Sequence, residues 1–368
     1  MDKHYQPKFQ EEYSAKIPAL TLLTSLGWTF LPPKQIMGYR GYKQDEVVLR
    51  PVLREELSKR SFMAGGKTCQ LSEKALDNLI SQVCSPALNE GLLKANERMY
   101  NHLLYGIAVT EFVDGKKVNP TIALIDWEHP ENNQFHFTEE FTVLRSGGVE
   151  TRRPDIVCFV NGIPLAVIEA KSPAGHGKKG PTIDEGISQS IRNQFNDEIP
   201  QLFVYSQLLL SINGHDGRYG TCHTPMKFWA AWREEDITDP QMYALRNHKL
   251  STEQIHALFD HRPSVDLKWY QQLIDGGELA VSGQDKLLIS LLSPERLLEM
   301  TRFFTLFDKK TGKIVARYQQ VFGIKRLLER ISTRRPDGGR EGGVIWHTTG
   351  SGKSYTMVFL SKALILHD

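Results

Sequence analysis

The sequence of 368 residues predicts an α/β protein: a mixed β-sheet flanked by helices, followed by the beginning of a second α/β domain. Runs rich in β-branched and aromatic residues cluster between residues 105 and 212. Helical periodicity precedes and follows these runs. From residue 344, a short apolar run, a glycine-rich loop and a helical pattern follow one another. The core of the first domain is therefore expected at about residues 100–212.

The chain opens with helical patterns. Apolar residues from Phe9 to Leu20 recur at the spacing of one helix face, and the helix is expected to end before Gly27. A second amphipathic region covers residues 71–93, with its apolar stripe on Leu76, Leu79, Ile80 and Val83. Helices therefore precede the predicted sheet.

The strand predictions depend on β-propensity and on turn signals. Asp114-Gly115 is expected to turn the chain between the first two strands, and Asn161-Gly162 is the strongest hairpin signal in the sequence. Residues 181–199 are predicted to form a helix. The predicted strands are 107–113, 121–127, 135–144, 155–160, 165–170 and 202–212.

Two domains joined by a linker are predicted from these patterns. Residues 1–235 form the first domain, residues 236–310 form a linker with bridging helices such as 287–307, and residues 311–368 begin the second domain. In the second domain, 317–331 is expected to be a helix and Val344–Trp346 a strand. The helix from Lys353 is expected to turn Met357, Leu360 and Leu364 inward.

Composition excludes several classes of protein. The net charge is only +2, so contact with nucleic acid would have to come from local basic patches. The four cysteines form no CxxC pair, which argues against structural zinc. No apolar run approaches the ~18 residues of a membrane span. The sequence therefore predicts a soluble, cytoplasmic protein without a membrane partner.

Asp155, Glu169 and Lys171 form the first candidate site. Side chains alternate along a strand, so Glu169 and Lys171 point to the same side. If Asn161-Gly162 closes a hairpin, Asp155 returns beside Glu169 on the neighbouring strand. Two carboxylates and an ammonium suit a Mg²⁺-dependent phosphodiesterase, because hard oxygen ligands hold the ion. Lys171 would either orient the attacking water or stabilise the developing charge. An exposed salt bridge at a strand end is the alternative.

The glycine-rich loop at Thr349–Ser354 is the second candidate site. Gly350 and Gly352 would let backbone N–H groups surround a phosphate at the N-terminus of the following helix. Lys353 would reach the β- and γ-phosphates, and the Ser354 hydroxyl would bind Mg²⁺. Thr349 and Ser351 complete the predicted loop. Strand, loop and helix in this order are typical of an ATP-binding P-loop.

The run RRPDIVCFVNGIPLAVIEAKSP at residues 152–173 resembles the nuclease core of the R subunit of type I restriction enzymes. The resemblance implies a PD-(D/E)xK restriction-endonuclease-like fold, Asp155 and Glu169 as metal ligands, and Lys171 as a catalytic residue. Gln189 falls where the family's QxxxY element begins, although Asn193 stands in place of its tyrosine. Gln201 and Tyr205 fit QxxxY formally, but their position suits a strand, so Tyr205 is expected in the core.

The C-terminal segment is similar to the same family. ARYQQ at residues 316–320 resembles its Q-motif, which implies that Gln320 contacts adenine, and TGSGKS resembles motif I of a RecA-like motor. The resemblance implies an ATP-dependent endonuclease subunit that cuts double-stranded DNA remotely after translocation. It also implies modification (methyltransferase) and specificity subunits as partners. Because family members are far longer, the chain is expected to be the front part of a larger protein.

Several alternatives remain open at this stage. A nuclease–helicase fusion of the DNA-repair type and a catalytically inert module that binds DNA or a partner would both fit the motifs. Arg152 and Arg153, and Lys178 and Lys179 in the loop at 175–180, are candidate phosphate contacts, or solvated side chains. Residues 344–368 are expected to be mobile or to pack aberrantly.

Overall fold

The computed structural model describes residues 10–173, 182–344, 346 and 352–367. A π-helical turn, Glu12–Lys16, runs directly into the first α-helix, and short 3₁₀ turns occupy Pro130–Asn132 and Met226–Phe228. The α-helices are α1 Ile17–Ser25, α2 Pro33–Tyr39, α3 Arg50–Ser58, α4 Glu73–Cys84, α5 Leu92–Tyr105, α6 Thr182–Asn193, α7 Pro200–Phe203, α8 Asp239–Arg246, α9 Thr252–Phe259, α10 Ser264–Asp275, α11 Gly283–Leu292, α12 Pro294–Arg302, α13 Tyr318–Ser332 and α14 Lys353–Leu366.

One mixed sheet organises the strands, with small antiparallel ladders around it. The strands are β1 Thr29–Phe30, β2 Ser61–Ala64, β3 Lys67–Gln70, β4 Ile107–Ala108, β5 Glu111–Val113, β6 Lys116–Val118, β7 Thr121–Ile122, β8 Phe135–Glu139, β9 Val143–Leu144, β10 Thr151–Arg152, β11 Ile156–Val160, β12 Ile163–Ala170, β13 Leu208–Ile212, β14 Gly217–Gly220, β15 Thr305–Asp308 and β16 Gly312–Val315. The sheet order is β1-β8-β11-β12-β13-β14, in which β1–β8 and β12–β13 are parallel and the other pairs antiparallel. The predicted mixed α/β architecture is confirmed.

The β11–β12 hairpin at the centre of the sheet closes through Asn161-Gly162, as predicted. Both turn residues have positive φ, +51° and +80°, which defines a type I′ turn. A side chain at Gly162 would meet the Leu49 carbonyl oxygen at 2.6 Å, so glycine is required for packing as well as for φ. The Asn161 side-chain amide donates to the Leu124 carbonyl at 3.0 Å. Local sequence and tertiary contacts therefore agree at this turn.

Three strand predictions were too long. Residues 107–113 split into β4 and β5, and only Thr121–Ile122 of the predicted 121–127 strand is extended. The Asp114-Gly115 turn joins β5 to β6 instead of joining the two predicted strands. Residues 135–144 divide into β8 and β9. These segments form short separate ladders, because packing against other parts of the protein overrides their β-propensity between the ladders.

The predicted strand at 202–212 begins as helix α7, where Pro200 occupies the first turn, a position that proline tolerates. Only Leu208–Ile212 is extended. Gln201 therefore lies on a short helix, and its expected placement on a strand was wrong. Tyr205 is buried, and its hydroxyl donates to the Val83 carbonyl at 2.7 Å, which confirms the core assignment.

Predicted helices also divide where turn residues intervene. Residues 71–93 contain α4 and the start of α5, with Gly91 at φ +87° before the second helix. Residues 287–307 contain α11 and α12, which meet at Ser293-Pro294, and then enter β15. The predicted helix at 181–199 is α6, which ends at Asn193. The predictions missed these helix ends because they followed apolar periodicity, which does not by itself mark where a helix ends.

The helices of segment 236–310 pack on the first part of the chain. Helix α11 contacts α1 and β14, and α8 contacts both α1 and α11. The Trp28 indole donates to the Leu292 carbonyl at 2.7 Å, and the Gln284 amide donates to the Ala15 carbonyl at 2.9 Å. The segment predicted as a linker thus contributes to the core shared with α1, and the domain boundaries at 235 and 310 stay predictions.

The C-terminal segment departs from its predicted form. Val344 and Trp346 are 92% and 90% exposed and lie in no strand. The buried residues of α14 are Thr356, Phe359 and Ala363. Of the predicted inward positions, Leu360 packs partly buried against the core, as predicted, whereas Met357 and Leu364 are 63% and 40% exposed and were wrong. Apolar residues occur all round this helix, so periodicity could not identify the buried face.

Across the described residues, the four cysteines are free, with Cys158 and Cys222 buried. No helix within the described ranges has the length and apolar character needed to span a bilayer.

Candidate active site

The β11–β12 hairpin brings the first predicted site together. Ile156 pairs with Ile168 in antiparallel register, so Asp155 and Glu169, the next residues outward, lie opposite each other. The Ala170 amide donates to Asp155 Oδ2 at 2.8 Å and holds the carboxylate at the strand end. Lys171 follows directly, and its backbone amide donates to the Ile212 carbonyl at 2.8 Å. Sheet register alone therefore gathers the three residues at one edge.

The Lys171 ammonium connects the two carboxylates. Its Nζ lies 3.4 Å from Asp155 Oδ2 and 3.9 Å from Glu169 Oε2, and it donates to the Ala170 carbonyl at 2.7 Å. All three side chains are largely removed from solvent. Such burial distinguishes this cluster from the exposed salt bridge considered as its alternative.

Helix α6 holds the Glu169 carboxylate from its other side. Gln189 Nε2 donates to Glu169 Oε2 at 2.7 Å, and Asn193 Nδ2 lies 3.5 Å from Glu169 Oε1. These amides are four residues apart, which places them on one helix face. A side chain at Gly186 would meet Ser211 Oγ at 2.3 Å, so this glycine lets α6 approach the strand. Asn193 thus contacts the site at the position where the related motif has tyrosine.

Burial and charge act together on the site's ionisation. Burial raises the pKa of Glu169 well above its ordinary value, and the charge of Asp155 raises it further. Burial by itself would lower the pKa of Lys171, but the negative charges of Asp155 and Glu169 outweigh that effect and the pKa is raised. The lysine therefore stays protonated between two carboxyl groups that repel each other.

Glu11 is a neighbour of the site that the sequence patterns did not indicate. It precedes the π-helical turn, and it is half-buried. The pKa of Glu11 is raised above its ordinary value. Burial is the largest cause and the charge of Asp155 is the second, while the charges of Lys171 and Lys16 oppose them. The carboxyl therefore lies within electrostatic reach of the cluster. In the sequence, Glu11 lies beside the apolar face of the first helix. Many solvent-facing glutamates have such a position, so the pattern did not mark Glu11 as a site residue.

The donor set fits a hard divalent cation. Asp155 and Glu169 present carboxylate oxygens, and their mutual repulsion in a buried position is what a cation between them would relieve. Among the residues described, no group of three or more His, Cys, Asp or Glu side chains gathers as a metal site. Two carboxylates are nevertheless sufficient for Mg²⁺, which usually retains several waters and takes substrate oxygens.

The predicted phosphate contacts near Asp155 have partners within the chain. Arg152 Nε lies 2.6 Å from Glu198 Oε2, and Arg153 pairs with Glu140. The Arg153 side chain remains 65% exposed, and its role as a phosphate contact stays a prediction. Lys178 and Lys179 lie outside the described residues.

The second predicted site is described in part. Gly352 precedes α14 with φ +84°, Lys353 and Ser354 begin the helix with exposed side chains, and Thr349, Gly350 and Ser351 lie outside the described residues. Gln320 is buried: its Oε1 accepts from the Arg317 amide at 2.9 Å and its Nε2 donates to the Gly352 carbonyl at 3.2 Å. In this structure Gln320 caps α13 and ties it to the end of the loop.

The fold and the site define an α/β protein with a buried, charged cluster at one edge of a mixed sheet. The chain belongs to the family of type I restriction enzyme R protein N termini (HSDR_N), whose model matches residues 8–228. The model of the SWI2/SNF2 ATPase family matches residues 319–368. The resemblance recognised at residues 152–173 is thereby confirmed.

Two relatives match almost the whole chain. The type I restriction enzyme HindI endonuclease subunit of Haemophilus influenzae is 29% identical over 361 residues, which cover 95% of this chain and 30% of the relative. The provisionally named type I restriction enzyme MjaIXP endonuclease subunit of Methanocaldococcus jannaschii is 26% identical over 375 residues, which cover 96% of this chain and 31% of the relative. The chain thus spans about a third of the length of these relatives.

Proposed function

We propose that the chain carries the Mg²⁺-dependent endonuclease site of a type I restriction enzyme R subunit. The observation that carries this proposal is the convergence of Asp155, Glu169 and Lys171 at one sheet edge, with the ammonium 3.4 Å and 3.9 Å from the two carboxylates. Membership of the R protein family supports the restriction alternative over the repair-type fusion. A PD-(D/E)xK fold for the mixed sheet is part of the same proposal.

Each site residue has a role that its environment supports. Asp155 and Glu169 hold Mg²⁺, whose chemistry when bound is activation of water and neutralisation of charge on the scissile phosphate. Lys171 holds a positive charge where the phosphate becomes more negative. Gln189 donates to Glu169 and fixes the orientation of this carboxylate. Glu11 adds a third carboxyl within electrostatic reach.

The C-terminal part is proposed to begin an ATP-binding motor with a RecA-like fold. The SWI2/SNF2 match over residues 319–368 supports this assignment. Thr349–Ser354 would bind the ATP phosphates, with Lys353 and Ser354 at the start of α14 and Ser354 also binding Mg²⁺. Gln320 is proposed to face the adenine, which requires it to exchange one of its present hydrogen bonds.

The remaining proposals concern the complete assembly. The relatives are named as subunits of type I restriction enzymes. We infer that the full protein acts on double-stranded DNA together with modification and specificity subunits, and that it cuts away from the recognition site after translocation. We also propose a cytoplasmic location for the full protein.

The deciding experiment is cleavage of supercoiled plasmid by this chain in the presence of Mg²⁺, beside the variants Asp155→Ala and Lys171→Ala. Loss of cleavage in both variants is expected. The matched control is Asp197→Ala, because the Asp197 side chain is 75% exposed and pairs with Arg145 away from the cluster. If Asp155→Ala and Lys171→Ala cut as fast as the unmodified chain, the proposed site is wrong.

Binding of Mg²⁺ by calorimetry separates a gated nuclease from an inert module. If the chain does not cut but binds Mg²⁺ through Asp155, the site requires the motor or partner subunits for activity. If neither cleavage nor binding occurs, this chain is a module without a metal site.

A further inference from the structure

A buried network of charged side chains lies next to the candidate site. We call it the Arg262 network and define it as Glu12, Lys16, Glu139, Glu140 and Arg262. The Arg262 guanidinium pairs with both Glu12 and Glu139, and the side chains of Arg262 and Glu139 are only 6% and 4% exposed. Lys16 Nζ lies 2.9 Å from Glu12, 3.8 Å from Glu139 and also pairs with Glu140.

The network joins three segments that are distant in sequence. Glu12 and Lys16 bound the π-helical turn, Glu139 ends β8, and Arg262 lies between α9 and α10. Two further contacts secure the same junction: Tyr13 donates to Asp266 at 2.9 Å, and His261 Nε2 lies 2.7 Å from Glu139. Helices α9 and α10 belong to the segment that the sequence predicted as a linker. This segment therefore reaches a buried position beside the first domain's sheet.

The network is in direct continuity with the candidate site. Glu140 donates its backbone amide to the Asp155 carbonyl at 2.9 Å, which sets the path of the chain into β11. Glu11 immediately precedes Glu12, and the charges of Lys16 and Glu140 act on the Glu11 carboxyl. A movement of the π-helical turn or of the β8 end would therefore displace groups at the site.

The charge balance makes Arg262 the critical member. Glu12 and Glu139 share the buried guanidinium, and Asp266 Oδ2 lies 3.5 Å from it. Removing the guanidinium leaves the buried Glu139 carboxylate beside the 30% exposed Glu12 carboxylate, with Lys16 as the remaining cation among the defined members. Loss of one partner from a buried ion pair is strongly unfavourable, because the remaining charge keeps its desolvation cost. Separation of the π-helical turn from β8 would relieve this repulsion.

We propose that Arg262 is a positioning residue for the candidate Mg²⁺ site. By clamping Glu12 to Glu139 it fixes the π-helical turn and the β8 end, and through them Glu11 and Asp155. Helices α9 and α10 are thus a structural part of the nuclease site, so that the segment leading toward the ATP-binding part contributes to its geometry. This inference rests on the proposed function, since it assumes that Asp155 binds Mg²⁺.

The test measures Mg²⁺ affinity by calorimetry in Arg262→Met. Residues that orient metal ligands without touching the metal typically change affinity by 10–100-fold when altered, so a loss of about tenfold is expected. The matched control is Arg246→Met on α8. Arg246 Nε lies 3.2 Å from Asp285 in a comparably buried pair, with side chains 10% and 3% exposed, and Asp285 lies at the start of α11 away from the network. A merely structural loss would affect both variants alike, whereas positioning changes affinity only in Arg262→Met.

Two further variants keep the test decisive. If Arg262→Met fails to fold by circular dichroism, Glu12→Gln removes the carboxylate that Arg262 and Lys16 share and is expected to weaken Mg²⁺ binding in the same direction. Arg262→Lys keeps the charge but cannot contact both carboxylates with a planar fork, so an intermediate affinity is expected. Unchanged affinity in the folded Arg262→Met or in Glu12→Gln would overturn the inference.

Asp155→Asn separates this inference from the proposed function. If the unmodified chain binds Mg²⁺, Asp155→Asn does not and Arg262→Met binds normally, only the positioning role fails. If Asp155→Asn binds as well as the unmodified chain, the proposed metal site fails and the positioning role fails with it.

Discussion

The two candidate sites differ in how much of each is assembled. At the first site, β11 and β12 are buried on both faces, and Asp155, Glu169 and Lys171 meet through sheet register. At the second, Val344 and Trp346 are exposed and unpaired, and α14 leaves Met357 and Ile365 facing solvent. The first site is built from neighbouring strands of one sheet, whereas a P-loop requires a strand supported on both sides. The residues of the first site are held in place by paired strands, whereas Val344 and Trp346 before the P-loop lie in no strand.

The largest expected contrast is between the lysines of the two sites. Lys171→Ala should reduce Mg²⁺-dependent plasmid cleavage by about 100-fold or more, because it removes a charge aimed at the phosphate. Lys353→Ala, at the exposed start of α14, should leave cleavage by this chain within about twofold of the unmodified rate, since P-loop lysines act on bound nucleotide. Equal losses in the two variants would show that the sites do not act independently.

A second contrast concerns packing. Ile168 is fully buried in β12, so Ile168→Ala should lower the free energy of unfolding by about 3 kcal/mol through loss of burial and creation of a cavity. Met357 is 63% exposed on α14, so Met357→Ala should change it by at most about 0.5 kcal/mol. Urea unfolding of both variants measures the difference. A large effect at Met357 would mean that the exposed face of α14 is covered in solution.

The buried carboxyl of Glu169 predicts a pH dependence. Because its pKa is raised in the folded state, the stability it contributes is present below the unfolded value of about 4.3 and is lost as pH rises through the folded pKa. Glu169→Gln should therefore melt higher than the unmodified chain at neutral pH without Mg²⁺, by a few degrees. At pH 4 this difference should disappear. Thermal melts at both pH values check the sign, and a lower melting temperature for Glu169→Gln at neutral pH would contradict it.

Added Mg²⁺ provides the control for this prediction. Excess Mg²⁺ should raise the melting temperature of the unmodified chain, since a ligand that binds only the folded state stabilises it. The same addition should have little effect on Glu169→Gln, which lacks one of the two proposed ligands.

The smallest expected effect is at the junction of α13 with the P-loop. Gln320→Ala removes the hydrogen bond that the Gln320 side chain accepts from the Arg317 amide and the one that it donates to the Gly352 carbonyl. Their loss should lower the free energy of unfolding by about 1 kcal/mol. Amide hydrogen exchange should show faster exchange in α14 than in β11 and β12, and Gln320→Ala should increase this difference. Strong protection throughout α14 would contradict the expectation that this helix is mobile or packs aberrantly.

Much of the first site could be predicted because its determinants are local in sequence. Asn161-Gly162 specifies a type I′ turn, and alternation along β11 and β12 then brings Asp155 opposite Glu169. The helix that supplies Gln189 was also predictable from apolar periodicity. The exact limits of the short strands between 107 and 144 were not, because their ends depend on packing against other segments.

The sequence by itself determined the mixed α/β class, the central hairpin and the pairing of Asp155 with Glu169 and Lys171, since turn chemistry and strand alternation act over a few residues. Only the tertiary structure decided that Asn193 contacts Glu169, that Glu11 lies within electrostatic reach of the cluster, that Arg262 joins Glu12 to Glu139, and which face of α14 is buried. These features depend on contacts between residues as much as 250 positions apart, and no local pattern encodes such contacts.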